Sequence, residues 1–566
     1  MKTERKTLII LISIVALGAL FRLGGLFTTP PGLYPDEAMN GNNALEAISV
    51  APPAGGYKIF YPENNGREGM FINIQAFFLN FFLNFYPSPE PWMLRFTSTL
   101  FGILTVLGVY FLTKELFRKN ERAKIFAFIS TFFIATSFWH INFSRIGFRA
   151  IMAPAFLVWG VFLLLLVFRK IEEKALADEK NPKHETLNPK QIQNSNDQNT
   201  KPFGISDFGH SNLFRTWKLG FGISALALFA GGVYGLGMHS YIAYRATPAL
   251  VLFIFFLLAL KYDWKQVVRF GSLFVLGSII ISIPLITYFA QNPQDFFGRT
   301  SQVSIFSGES PIKDLGLNIV KTIGMFFVYG DSNSRHNLPG SPELFWPVAL
   351  FFAIGIAIGI KRTFFRTIHN VQNREQFGKF KLWILDLFRT SDFGFSILFM
   401  WLIVAALPVV ISNEGIPHAL RSILMIPPAM ILAGVGSVLT YDWIKNKNIP
   451  KTLLNISVGL LLGFIGMYTF YTYFIVWGPH QETANAFSSD SVEIGHMLNS
   501  LPKEINKYIV VEGGGTLVRG IPMSSQTVMY ITDSFTPEKQ KEKNIFYILP
   551  GERNSIPQGS FIVKLK

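Results

Sequence analysis

Residues 7–40 read TLIILISIVALGALFRLGGLFTTPPGLYPDEAMN. The apolar part is about 20 residues long, which is what a helix needs to cross ~30 Å of hydrocarbon. Lys2, Arg5 and Lys6 precede it, and no clear small-x-small cleavage site follows. The stretch therefore predicts an uncleaved membrane anchor with a cytoplasmic N-terminus. The prolines and acidic residues after it begin a loop on the opposite side.

Similar apolar blocks recur along the whole chain, in which 50% of the 566 residues are hydrophobic. Each block is about 17–23 residues long, the length of a membrane-spanning helix. We therefore expect an all-α polytopic membrane protein of about 11 transmembrane helices. The chain has no cysteine, which excludes disulfides and thiolate metal sites. The blocks begin near Thr7, Leu94, Ile125, Ala150, Trp217, Tyr241, Val267, Phe345, Phe395, Ile423 and Leu453.

The distribution of charge predicts the orientation. Residues 114–124 carry five basic and two acidic side chains, and residues 361–392 carry seven and three. Residues 28–92 carry two basic and six acidic side chains. Lys and Arg collect in cytoplasmic loops, so the first two stretches should lie inside and the third outside. This requires that the apolar run 70–86 does not span; if it spans, the loop at 114–124 moves outside.

The same rule explains the formal charge of +15 without a nucleic-acid partner. We expect a multi-pass protein of the cell membrane whose constant partner is the lipid bilayer. Residues 1–477 form the predicted membrane module, with a first outer loop at 28–93 and a flexible cytoplasmic insertion at 171–213. Residues 478–566 are predicted to form a small extracytoplasmic α/β domain. Its helix lies near 491–501, and its strands are KYIVVEGG (507–514), TVMYITD (527–533), IFYILP (545–550) and SFIVKLK (560–566).

Ionisable side chains near the outer face are the candidate functional residues, because charge near the bilayer is costly. Asp36 and Glu37 supply carboxylates, one of which could deprotonate an acceptor hydroxyl as a catalytic base. Planar guanidinium groups suit a phosphate better than ammonium does. The positive or switchable side chains on this face are Arg145, Arg149, Arg245, Arg299, Arg335, His336, His418 and Arg421.

Each of these features has a structural alternative. Asp36 and Glu37 follow Pro35 and could simply begin a helix, where carboxylates are favourable. Arginines at helix ends often extend to lipid headgroups. The histidines are dispersed without HExxH-like spacing, so no cofactor is predicted and a divalent metal ion is left open; they are His140, His239, His336 and His418.

From the PDEA at residues 35–38 onward, the sequence resembles the GT-C glycosyltransferases. It is most similar to the branch of protein O-mannosyltransferases and lipid A aminoarabinose transferases. The resemblance covers residues 21–433. The ordered segments that carry it are RFTSTLFGILTVLGVYFLTKELF (95–117), SFWHINFSRIGFRAIMAP (137–154), GDSNSRHNLPG (330–340) and GIPHALRSILMIPP (415–428).

This resemblance implies a polyprenyl-phosphate sugar donor and a site on the outer face. It places the catalytic carboxylate at Asp36, with Glu37 beside it. Many members carry His-Pro-Pro after the first loop, whereas this chain has NNGREG at residues 64–69. The histidine's role is therefore not carried over, and the sugar and the acceptor stay open.

The expected reaction is a single displacement that inverts the anomeric centre, because nothing here demands a second carboxylate as nucleophile. Two alternatives stay open at this point. A secondary transporter would favour repeated halves and a site at the bilayer midplane. An oligosaccharyltransferase or polymer ligase would share the fold and use a larger donor or acceptor.

Overall fold

Helices make up the membrane part of the chain. The computed structural model describes residues 2–49, 56–179, 210–302, 304–307, 309–365, 392–413, 415–447 and 449–565. Before residue 471 the described helices are α1 (Lys2–Leu23), α2 (Pro35–Ser49), α3 (Met70–Phe82), α4 (Pro91–Leu116), α5 (Ala123–Ala135), α6 (Phe138–Phe143), α7 (Met152–Glu179), α8 (His210–Leu236), α9 (Pro248–Ala259), α10 (Trp264–Gln291), α11 (Pro293–Gln302), α12 (Pro311–Gly324), α13 (Trp346–Ile360), α14 (Phe393–Val410), α15 (Ile426–Lys445) and α16 (Lys451–Phe470).

Among the described residues, ten helices, some together with an adjoining helical turn, are long and apolar enough to cross a membrane. The chain is thus an integral membrane protein. The block expected near Ile125 differs from the prediction, because it forms the 13-residue helix α5. Thirteen residues rise only about 20 Å. The chain then breaks at Ser137, which has an extended backbone and whose side-chain hydroxyl caps α6 by accepting a hydrogen bond from the His140 N–H.

Tight packing compensates for the shortness of α5. The helix lies against α1, α4 and α15. A Cβ atom on Gly434 would lie 2.2 Å from the Ser130 hydroxyl, so α15 and α5 can approach this closely only with glycine. The run at 70–86 gives α3, also 13 residues long, which packs on α2 and α4. Like α5, it falls outside the ten described helices that are long enough to cross a membrane.

Basic side chains collect at one end of the bundle. Arg118, after α4, is ion-paired with Glu172 of α7 and contacts the Tyr262 hydroxyl between α9 and α10. Arg122, before α5, lies 2.7 Å from Asp442 near the end of α15. The candidate site described below lies at the opposite ends of α4, α7, α9 and α15. Helix α7 continues to Glu179, and residues 180–209 of the predicted insertion lie outside the described residues.

The C-terminal region contains a parallel sheet. Its helices are α17 (Gln481–Ala486), α18 (Ser489–Ser500), α19 (Gln526–Thr532) and α20 (Pro537–Lys543). In the membrane module β1 (Phe60–Tyr61) pairs with β2 (Arg67–Glu68). The later strands are β3 (Lys507–Val511), β4 (Leu517–Val518), β5 (Ile521–Pro522), β6 (Ile545–Ile548) and β7 (Phe561–Leu565). Strand β3 lies between β6 and β7 and is parallel to both.

One predicted strand is wrong, because TVMYITD forms most of α19. A short buried apolar run has no periodicity that separates strand from helix. Here packing decides, since every residue of α19 is buried and the helix lies against α2 and α18. The Thr527 hydroxyl donates to the Leu33 carbonyl at 2.8 Å, and Asn42 donates to the Gln526 carbonyl at 3.0 Å. The C-terminal region therefore packs against α2 through α19.

This docking requires a glycine at position 41. A Cβ atom there would lie 2.5 Å from the Tyr530 ring and 2.7 Å from Leu94. We predict that Gly41→Val lowers the free energy of unfolding by about 1–3 kcal/mol through overpacking. Thermal unfolding in detergent micelles measures it. Gly514→Val is the matched control, because nothing lies within 4 Å of that position. Equal stability of the two variants would contradict the docking.

Candidate functional site

A short hairpin in the first loop organises the candidate site. Strands β1 and β2 pair antiparallel, with Phe60 opposite Glu68. The turn between them contains Asn64, Asn65 and Gly66 at φ of 52°, 62° and 77°. Asparagine and glycine are the residues that tolerate this left-handed conformation. The NNGREG segment thus forms a turn that presents its side chains toward α2 and the helix ends beyond it.

Asp36 lies in the first turn of α2 and is half-buried. Its Oδ1 accepts a hydrogen bond from the Asn64 side-chain amide at 2.8 Å. The N-terminus of a helix favours a negative charge. The hairpin turn and the helix N-terminus therefore hold a carboxylate that remains partly accessible.

Glu37 has a different environment, because it is fully buried. Its Oε2 accepts from Arg95 Nε at 3.1 Å and from the Gly147 N–H at 2.6 Å. Arg95 also donates to the carbonyls of Pro30 and Gly32. This ion pair joins α2, α4 and the start of the loop. The geometry favours a structural role for Glu37, although the sequence predicted that it shares catalysis with Asp36.

Arg67 is a buried cation held by neutral groups. Its guanidinium donates to the side-chain oxygens of Asn40 and Asn43, each at 2.6 Å. Its Nε is buried without a hydrogen-bond partner among the described residues. Burial and then the charge of Arg149 lower the pKa of Arg67 to about 10, against the opposing effect of Asp36. Arg67 fastens the hairpin to α2 and brings positive charge close to Asp36.

Glu68 joins the hairpin to two helix ends. Its Oε2 lies 2.8 Å from Arg149 Nε, before α7, and its Oε1 lies 3.1 Å from Arg245 Nη2, before α9. Burial alone would raise the pKa of Glu68, but Arg149 and Arg245 outweigh it and hold the pKa below its usual value. The carboxylate is therefore ionised, and the three side chains together carry one net positive charge.

The two guanidinium groups around Glu68 keep some access to solvent. The side chains are 14% exposed for Arg149 and 20% for Arg245, against 3% for Glu68. Arg245 also lies over the Phe296 ring at 4.4 Å and donates to the Phe296 carbonyl. Each guanidinium has five N–H donors, so both retain donors for an anion.

Three of the other predicted phosphate ligands, Arg145, Arg299 and Arg335, lie in different environments. Arg145 is fully buried and donates to four backbone carbonyls, those of Phe21, Arg22, Gly24 and Thr29, so its geometry is structural. Arg299 belongs to α11, but its side chain lies outside what the structure describes. The Arg335 guanidinium lies 3.8 Å from the centre of the Tyr34 ring. Because Tyr34 is two residues before Asp36, Arg335 reaches the Asp36 region.

Two of the dispersed histidines, His336 and His418, lie close to the same carboxylate. His336 Nδ1 lies 2.8 Å from Asp331 Oδ2, and His418 Nδ1 lies 3.8 Å from the same oxygen. Arg421 belongs to the same turn as His418 and directs its backbone N–H to His418 Nδ1 at 3.5 Å. Burial lowers the pKa of His336, against the opposing effect of Asp331. Asp331, His336 and His418 offer donor atoms within 4.8 Å of one another and could hold a metal ion.

The remaining two histidines have structural contacts. His140 is buried, and its Nδ1 lies 2.6 Å from Arg22 Nη2. His239 Nε2 lies 2.9 Å from the Ile281 carbonyl. These rings fix helix ends in the interior of the bundle.

Sequence reasoning missed Asn64, Arg67, Glu68 and Asp331 as site residues. A local signal existed for the first three, because an Asn-Gly pair between short strand-like runs indicates a hairpin turn. The alternation of Arg67 and Glu68 then sends neighbouring side chains to opposite faces. Nothing local indicated that Glu68 meets Arg149 and Arg245, which follow it by 81 and 177 residues.

Solved structures with the same arrangement of helices exist. The archaeal oligosaccharyltransferase AglB from Archaeoglobus fulgidus, in complex with an inhibitory peptide and a dolichol-phosphate, matches at a TM-score of 0.52. The match has 14% identity and covers 98% of this chain and 70% of that one. The apo form of the same organism's oligosaccharyltransferase matches at 0.51 and 14% identity, covering 93% and 64%. The chain has the GT-C fold.

At this identity the likeness shows the GT-C fold and nothing finer. A further structure, ArnT from Cupriavidus metallidurans in the apo state, matches at a TM-score of 0.49 and 11% identity, covering 94% of this chain and 85% of that one. No protein-family model and no curated protein matches the chain in sequence. This chain also spans only about two thirds of the length of the AglB structures.

The buried ion pair gives a test of the role of Glu37. We predict that Glu37→Gln lowers the free energy of unfolding by about 3–5 kcal/mol, because Arg95 loses its only described carboxylate partner in a dry site. Melting of the purified protein in detergent measures the effect. Glu482→Gln, at an exposed position of α17, is the matched control and should melt like the wild type. If Glu37→Gln is equally stable, the ion pair is not structural.

Proposed function

We propose that this protein is a membrane glycosyltransferase. It moves a sugar from a polyprenyl-phosphate donor to an acceptor hydroxyl of a protein, lipid or glycan. The observation that carries this proposal is that one hairpin, at one end of a GT-C helix bundle, contacts Asp36 through Asn64 and two partly exposed arginines through Glu68. Such a transfer needs a base for the acceptor hydroxyl and positively charged side chains that bind the donor phosphate, here called the phosphate grip.

An apolar groove beside this site suits the isoprenoid chain. It has a volume of about 500 Å³ and lies between α3, the end of α8 and the interior of α10 at Ile281. Ile59, Ile74, Phe77 and Ile281 are among its lining residues. The groove lies next to Met70, two residues after Glu68. A lipid chain in this groove would place its phosphate near the arginines at the end of the membrane helices.

The charge of the Glu68 cluster suits a phosphodiester. The cluster has one net positive charge, which a donor phosphate would balance. Charge-assisted bonds from guanidinium to phosphate are short and often bidentate. Arg335, on the Tyr34 ring, offers a third guanidinium close to Asp36. These donors would stabilise the charge that develops on the leaving phosphate.

Asp36 is the proposed base. Its carboxylate takes the proton of the acceptor hydroxyl, the hydroxyl oxygen attacks the anomeric carbon, and the bond to the phosphate oxygen breaks. The electron pair leaves with the polyprenyl phosphate. Asn64 occupies only one carboxylate oxygen, which leaves the other for the proton. One displacement of this kind inverts the anomeric centre.

Two further points support a lipid-linked donor on the outer side. The AglB structure with a related fold holds a dolichol-phosphate. The basic cluster at Arg118 and Arg122 lies at the opposite end of the bundle, where the cytoplasm is expected. With that orientation the site faces outward, and the C-terminal region that packs on α2 is extracytoplasmic.

The likeness to AglB also favours a second candidate, transfer of an oligosaccharide from a larger lipid-linked donor. A secondary transporter is less well supported. Its substrate site would lie near the bilayer midplane, between broken helices. Here the charged groups follow or precede the spanning helices.

The base has a direct test. We predict that Asp36→Asn lowers turnover of a polyprenyl-phosphate sugar by about 10²-fold or more, because the amide cannot accept the proton. Asparagine still suits a helix N-terminus, so folding and donor binding should persist. Transfer and donor binding are measured side by side in liposomes. Asp263→Asn, an exposed residue at the other end of the bundle, is the control. Near-normal turnover in Asp36→Asn removes this mechanism.

The phosphate grip has its own test. We predict that Arg149→Ala, Arg245→Ala and Arg335→Ala each weaken donor binding about tenfold to hundredfold, since a charge-assisted hydrogen bond contributes about 1.5–3 kcal/mol. Lysine at these positions should restore binding only in part. Titration with the donor measures the affinity, and size-exclusion profiles check folding. Arg553→Ala, at an exposed C-terminal position, is the control. Wild-type affinity in all three variants places the phosphate elsewhere.

A further inference from the structure

Three side chains of the types that bind metal ions come from two separate loops and converge beside the proposed site. Asp331 and His336 follow α12, and His418 precedes α15. Their donor atoms all lie within 4.8 Å of one another. The Asp331 and His336 side chains are each 5% exposed, and that of His418 is 17% exposed. Two of the three side chains are thus buried and the third is partly exposed.

The carboxylate of this cluster is already fixed. Asp331 Oδ1 accepts from the Asn333 N–H at 2.8 Å, and Oδ2 accepts from the Ala419 N–H at 2.9 Å. The second bond ties the loop of His336 to the loop of His418. The Asp331 backbone N–H in turn donates to Glu343 at 3.0 Å. Outer contacts of this kind hold a ligand in place before an ion binds.

Hydrogen bonding accounts for only part of the arrangement. The 2.8 Å contact between His336 Nδ1 and Asp331 Oδ2 is a hydrogen bond. His418 Nδ1 lies 3.8 Å from the same oxygen, which is too long for a hydrogen bond, and accepts a 3.5 Å contact from the Arg421 N–H. The two rings lie 4.9 Å apart at an angle of 30°. Two imidazole nitrogens that face one carboxylate oxygen are arranged as ligands around a shared ion.

We propose that Asp331, His336 and His418 bind one divalent transition-metal ion of the zinc type. Two imidazole nitrogens and one carboxylate oxygen match zinc, whereas magnesium and calcium prefer oxygen ligands throughout. On binding, the His336 Nδ1 proton moves to Nε2 or to solvent, and a metal–nitrogen bond replaces the hydrogen bond. Three protein ligands leave a fourth tetrahedral position open.

The open position would lie on the side of His418, the most exposed of the three side chains. Arg335, next to His336, extends to the Tyr34 ring and so links this cluster to the Asp36 region. The positive charges of Arg335 and Arg421 would repel a bare metal ion but would attract an anion that binds to that ion. Resting on the proposed function, the fourth ligand is a phosphate oxygen of the donor.

The metal alone tests the site. The full-length protein in detergent is stripped with a chelator, loaded with zinc chloride, desalted and analysed for metal. We expect about one zinc ion per chain, four-coordinate, and a tetrahedral visible spectrum with cobalt(II) in its place. His418→Ala and Asp331→Asn should each weaken zinc binding at least tenfold and abolish the cobalt spectrum. His480→Ala, at an exposed position, should bind like the wild type.

Two results overturn the proposal: a wild-type protein that retains no zinc, or equal zinc in the wild type and His418→Ala. Binding of inorganic phosphate without zinc, lost in His418→Ala, would also overturn it and make the cluster an anion site. His418→Ala leaves the Asp331 bonds to His336 and Ala419 in place, so it should fold. No sugar donor enters these measurements. Zinc binding without sugar transfer would therefore reject the proposed function and retain the metal site.

Discussion

The Glu68 carboxylate, shared between Arg149 and Arg245, is the interaction on which the candidate site depends. A buried charge must be paired, and removing one partner of such a pair is strongly destabilising. This requirement fixes the hairpin of the first loop against the starts of α7 and α9. The same hairpin carries Asn64 to Asp36 and Arg67 to α2. One carboxylate thus positions both the proposed base and the proposed phosphate grip.

The membrane character of the chain could be predicted from the sequence, because apolar blocks of spanning length are a property of composition alone. Helix α5 departs from that prediction, since its block breaks at Ser137, where a side-chain cap begins another helix. The α19 segment departs for a different reason. Its run of apolar and β-branched residues favours a strand locally, but full burial against α2 and α18 selects a helix. The first departure has a local cause and the second a tertiary one.

The candidate site was predictable only where local position sets the role. The carboxylate of Asp36 follows a proline at a helix start, and the structure places it in the first turn of α2. Glu37, its neighbour, points into the core and meets Arg95, a contact that no local pattern shows. Arg145 looked like a phosphate ligand but binds backbone carbonyls. An arginine's partners are set by packing, so sequence alone could not separate these roles.

A structure with a non-hydrolysable polyprenyl-phosphate sugar bound in lipid nanodiscs tests the central claim most directly. We expect the phosphate to lie against the guanidiniums of Arg149 and Arg245, with the lipid chain in the groove beside α3. The anomeric carbon should face the cleft at Asp36, with room for an acceptor between them. A phosphate at the end of the bundle that carries Arg118, or a sugar whose anomeric carbon faces away from Asp36, would contradict it.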